Sequence, residues 1–251
     1  MRIKFRFCWV FLALWVTGPV IADDHKAPDM VDSWVMVVKD GHTENFEKAL
    51  KEHLKYRAKK GDTRVWKTYE PIIGDDLNHY VIRHCCSTYA AMDDYRNWTQ
   101  KSKTGDHWND NVDEHVAEYR HHLIRVDMKN SHWPEDDSSY ELFGVTTWDA
   151  KSGRAAAISS SKAALSEAAK SGDWPRYWSW STQITGEGGL MLVSPYSNYA
   201  DMETPGDGFA AFLAEQVGQE KAGMMLSSFS ENFHGSEFSV YRLNRELSMK
   251  E

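Results

Sequence analysis

The chain has 251 residues, 41% hydrophobic and 26% charged, with a formal net charge of −8. That composition belongs to a folded globular protein with a sizeable core. The acidic balance excludes a nucleic-acid partner and an anionic membrane surface, since neither finds its basic footprint here.

At the N-terminus, Arg2, Lys4 and Arg6 precede the apolar run Phe7 to Val16. Gly18-Pro19 and the small-residue site ending at Ala22 follow it. This is the pattern of an export signal, and ten apolar residues fall well short of the ~20 a bilayer span needs. Residues 1–22 are therefore expected to be removed, leaving an exported (periplasmic or secreted) protein, with no membrane attachment and a charge of −11. Only Cys85 and Cys86 then remain. Adjacent cysteines rarely bridge, so they are expected as buried thiols in a strand, with an intermolecular bridge or redox role left open.

Two stretches repeat one unit. Gly61-Asp62 before Arg64-Val65-Trp66 matches Gly172-Asp173 before Arg176-Tyr177-Trp178, an offset of 111. Gly74-Asp75 matches Gly186-Glu187, 112 apart, and Ser-x-Tyr-Ala-x-Met recurs at Ser87 and Ser197, 110 apart. A period this long repeats a domain, not a solenoid turn.

In the first copy, Trp34 to Lys39 is a β-branched apolar run and hence a strand. Thr43 can cap a helix whose Phe46, Ala49, Leu50, His53 and Arg57 share a face, stopped by Gly61. Arg64 to Pro71 and His79 to Cys86 read as a hairpin, and Ser87 or Thr88 caps a second helix through Trp98. A third helical stretch is expected from Trp108 to Arg120, then a strand from His122 to Met128.

The second copy reads as strand Tyr140 to Trp148, helix Arg154 to Lys170, hairpin strands Trp174 to Gln183 and Leu190 to Tyr196, helices within 199–233, and strand Phe238 to Leu243. The organisation expected is a signal peptide (1–22), a first unit (32–130), a linker (131–139) and a second unit (140–246).

The order β-α-β-β-α-β in each copy is the ferredoxin-like unit, an α+β fold. The pattern resembles the dimeric α/β-barrel superfamily, here as tandem antibiotic-biosynthesis-monooxygenase-like or NIPSNAP-like modules. The resemblance implies two units pairing their sheets as an intramolecular α/β barrel, with a ligand pocket between helices and sheet. It also implies a choice among cofactor-free oxygenases, haem proteins and binding modules, which fold alone does not make.

Ten of eleven histidines precede residue 133, pointing to the first unit as the site. His53 and Arg57 fall within about 20° of Phe46 on a helical wheel, so a proton acceptor and an anion clamp face the sheet. His84 is a candidate base or haem ligand. His115, Glu118 and His122 would form a metal stripe if helical. Trp66, Tyr69, Tyr89, Trp178 and Trp180 are candidate walls for a flat ligand.

The expected function is binding of a flat apolar small molecule, or cofactor-independent oxygenase-like chemistry on it. No cofactor is required by the sequence. Haem, a divalent metal and a non-catalytic interaction domain are the alternatives, and a homo-oligomer is left open.

Overall fold

The computed structural model of the protein describes residues 27–250. The leader read at residues 1–22 lies outside the described residues. Among the described residues no helix is long and apolar enough to cross a membrane.

The first unit runs β1 (Met30–Val38), α1 (Thr43–Lys59), β2 (Lys67–Ile73), β3 (Tyr80–Ser87), α2 (Tyr89–Ser102), α3 (Thr104–Asn111) and β4 (Val116–Val126). The second runs β5 (Leu142–Ala150), α4 (Ala155–Ser171), β6 (Ser179–Gln183), β7 (Gly189–Tyr196), α5 (Phe209–Val217), α6 (Gln219–Ser230) and β8 (Phe233–Asn244). All pairs are antiparallel, and the sheet closes as β1-β3-β2-β8-β5-β7-β6-β4. Within each unit the order is that of a ferredoxin-like sheet. The edge strand of each unit is paired by the other, β2 on β8 and β4 on β6, so no edge is left open.

Helix α1 shows how the layers are set. Glu44 in its first turn and Arg57 and Lys59 in its last complement the helix dipole. Phe46, Leu50, His53 and Leu54 form its buried stripe. Gly61, at φ +74°, lets the chain turn away. Phe46 and Leu50 pack on Met36 and Val38, so the even-numbered residues of β1 face the helices and Val31, Ser33, Val35 and Val37 face the lumen. Burying a side chain such as Leu50 fully contributes roughly 1.5–3 kcal/mol.

A second core, around Leu165, Trp180, Leu213 and Phe229, lies under α4–α6. The chain after β8 returns to the first unit, where Leu247 is buried in its core and Met249 N–H donates to Trp66 O at 2.8 Å.

Three local expectations are corrected. The helix expected over 108–120 stops at Asn111, and residues 116–126 are strand β4. Thr43 is the first helical residue of α1, and the cap position is His42, which makes no side-chain cap bond. Cys85 and Cys86 are not buried thiols: they are joined to each other by a disulfide, with Cys85 exposed and Cys86 half-buried.

Candidate functional site

Register decides which side chains meet, because directly paired residues of an antiparallel ladder share a face. On the helix-facing side of the first unit, Asp32 pairs with His84 across β1 and β3, and Trp34 pairs with His121 across β1 and β4. Arg64, from the loop entering β2, reaches this face and donates to Asp32 Oδ2 at 2.5 Å. His121 Nε2 donates to Asp32 Oδ1 at 2.8 Å while its ring stacks on Trp34 at 3.9 Å. Burial pushes the Asp32 carboxyl up, but the hydrogen bonds from His121 and Arg64 outweigh it and hold the pKa below the ordinary range.

Above this face lies a cleft of about 460 Å³ whose walls include Thr63, Arg64, His84, Cys86, Tyr95 and Trp98. Helix α2 forms one wall; Thr88 caps it, its Oγ1 accepting from Ala91 N at 3.1 Å. Tyr95 is the hub. Its hydroxyl accepts from Arg57 Nη2 and from Trp66 Nε1 (3.0 Å) and donates to Asp62 Oδ2 at 2.9 Å. The Arg64 guanidinium lies 3.6 Å from the Tyr95 ring centroid, and Trp98 stacks beside that ring at 5.2 Å.

His84 is the imidazole on the cleft wall. Its Nδ1 lies 3.2 Å from Val65 O. A carbonyl only accepts, so Nδ1 carries the proton and Nε2 carries the lone pair. Burial, reinforced by the nearby Arg64 charge, lowers the His84 pKa against the Val65 bond, which favours the neutral ring.

The other expected site residues go elsewhere. His53 is fully buried behind the cleft, with Nδ1 3.2 Å from His107 Nδ1 and Nε2 3.4 Å from Arg57 Nη1. Burial, then the Arg57 charge, push its pKa down to about 3, so it stays neutral. Arg57 Nε donates to Asp62 Oδ2 at 2.7 Å, so this cation braces Tyr95 and is not a free clamp.

Trp66 belongs to the first core and Trp178 and Trp180 to the second. Tyr69 faces the lumen, edge-on to Phe143, and Tyr89 is 55% exposed. None of these five lines the cleft.

The metal stripe does not form. His115 lies in a single 3-10 turn with Nδ1 3.1 Å from His42 Nδ1, whereas Glu118 and His122 point into the lumen from β4. Among the described residues no three His, Cys, Asp or Glu side chains are grouped to hold a metal ion.

Sequence reasoning missed Arg64, Tyr95, Trp98, Asp32 and His121. Tyr95 and Trp98 stand three apart in a helix, a spacing that would have flagged a shared face.

No protein-family model matches the chain, and no curated protein matches it in sequence. Solved structures do. A candidate monooxygenase from Lactobacillus acidophilus NCFM is similar at TM-score 0.54 and 7% identity, over 89% of this chain and 96% of its own. An anthrone oxidase-like protein gives 0.53 and 9%, over 88% and 93%. A variant chlorite dismutase from Candidatus Nitrospira defluvii gives 0.50 and 9%, over 87% and 93%. At such identities the likeness is one of architecture: this chain has a ferredoxin-like α+β fold, with two units closing one antiparallel sheet.

Proposed function

We propose that the first unit binds a flat, largely apolar small molecule bearing an acidic C–H or O–H, and that His84 accepts its proton. The observation that carries this reading is the bond from His84 Nδ1–H to Val65 O, which fixes Nε2 as the free acceptor on a wall shared with Tyr95 and Trp98. Aromatic walls favour a planar ligand.

Arg64 spends one N–H and its charge on Asp32, and its remaining N–H groups can still donate a hydrogen bond to the ligand's oxygen. In the oxygenase-like version, a C–H proton moves to His84 Nε2 and the carbanion adds dioxygen. His84 then returns the proton to the peroxide, which balances the step without a cofactor.

A haem fits this wall poorly. The guanidinium of Arg64 is already neutralised by Asp32, and Asp94 stands on the same wall, so the carboxylates of a haem would meet no unpaired cation there. The export signal and the Cys85–Cys86 bridge support placing the mature protein in an oxidising compartment outside the cytoplasm.

Anthrone, a planar ketone with an acidic C–H, is the natural probe, given the anthrone oxidase-like neighbour. Purified protein is expected to bind it with quenching of tryptophan fluorescence and to consume dioxygen in its presence. His84→Gln should retain binding and lower turnover by roughly 10²–10⁴-fold, the range for loss of a general base. An unchanged rate in His84→Gln, or no response of the wild type to anthrone, overturns the reading. A Soret band on adding haem would move it toward the haem alternative.

A further inference from the structure

The proton transfer above makes no use of Cys85 and Cys86, yet their position is unusual. They follow His84 directly near the end of β3, and Cys86 stands two residues before the Thr88 cap of α2. Cys85 is an exposed residue, which puts the bridge at the solvent boundary. Cys86 lines the cleft on one side and on the other packs against the lumen cluster of Val31, Ile124 and Val126.

Neighbouring side chains of a regular strand point to opposite faces, whereas the bridge keeps these two sulfurs together. Opening it lets each side chain take its own face, which shifts the cleft wall relative to His84. The shift would pass into α2, because β3 ends at Ser87 and the helix starts two residues on, after its Thr88 cap, carrying Tyr95 and Trp98 on the cleft wall.

We propose that Cys85–Cys86 is a thiol–disulfide exchange site whose partner is a dithiol reductant, and that its state sets the cleft's affinity. A thiolate of the dithiol attacks Cys85 Sγ, the S–S bond breaks, and Cys86 leaves as a thiolate that takes a proton. The second thiol of the reductant then displaces Cys85 as a thiol, so two electrons and two protons enter the protein and the reductant departs as a disulfide. The ligand-affinity part of this proposal rests on the cleft being the ligand site.

The test uses the exported protein as recovered, before and after anaerobic dithiothreitol, with anthrone as the cleft probe. Reduction should release two further titratable thiols per chain and weaken anthrone binding by at least about fivefold, the lower end of coupling between linked sites. The double variant Cys85→Ser with Cys86→Ser should bind like the reduced form and ignore dithiothreitol.

Full thiol reactivity before reduction, or equal affinity in both states, overturns the proposal. If neither form binds anthrone, the functional reading above has failed on its own account. The His84 imidazole resonance, assigned by its loss in His84→Gln, then decides the exchange site: movement on reduction sustains it and a fixed resonance refutes it.

Discussion

The two units share a topology and an arginine, and they differ in what that arginine meets. In the first, Arg64 is bonded to Asp32, which pairs in register with His84 and accepts from His121. In the second, Arg176 bonds instead to Asp201 at 2.6 Å and to Glu203 O at 2.5 Å. Gly144 pairs there with Ser194, and Phe238 pairs with Thr146 as His121 does with Trp34. A Cβ on Gly144 would come within 3.0 Å of the Phe238 and Tyr196 rings. One copy has thus filled its sheet face with aromatic carbon, while the other keeps a carboxylate, a guanidinium and two imidazoles there. A duplicated fold lets its two copies diverge, one sheet face taking aromatic rings and the other polar side chains.

The sharpest way to break this contrast is to remove each arginine's carboxylate. The Arg64–Asp32 side chains are 4% and 10% exposed, so Asp32→Ala strands a buried charge and should cost about 3–5 kcal/mol in urea unfolding. The Arg176–Asp201 pair is 22% and 31% exposed, and Asp201→Ala should cost no more than about 1 kcal/mol for the ion pair. Equal losses would erase the distinction.

Acid comes next. His53 has a folded pKa near 3 against 6.5 unfolded, so the unfolded chain binds the proton first. Stability is full above about pH 6.5 and should fall by up to roughly 1.4 kcal/mol per pH unit as pH drops toward 3. His53→Gln should flatten that limb in pH-dependent thermal melts, and an unaltered limb would remove His53 from the account.

Gly144→Ala in the second unit should cost about 1–3 kcal/mol through overpacking against the two rings, measured by the same denaturation. A neutral result would mean that Phe238, which is 50% exposed, swings aside.

Much of the architecture was legible because its signals are local. Gly61, Gly74, Gly172 and Gly186 punctuate turns, and Trp34 to Val38 is strand-like whatever surrounds it. The first half of strand β4 was hidden because residues 118–122 are polar on both faces. Glu118, Arg120 and His122 point into the lumen, where Arg120 Nε bonds Glu118 Oε1 at 2.8 Å, and Tyr119 and His121 point the other way. Alternation carries no signal when neither face is apolar, so Val116 to Arg120 read as the end of a helix.

His84 was visible as a candidate, but its tautomer follows from Val65 O, nineteen residues away. His53 and Arg57 were placed on the correct helix face, yet Tyr95 and Asp62 turn that face into a brace.

By itself, then, the sequence determined the duplicated β-α-β-β-α-β order, because turns, caps and apolar runs act within a few residues. Only the tertiary structure decided that Asp32, Arg64, His84, Tyr95 and His121 share one surface, since strand register and helix docking bring together residues up to 89 positions apart. It also decided that the Phe238 and Tyr196 rings would crowd Gly144 on the matching face of the second unit.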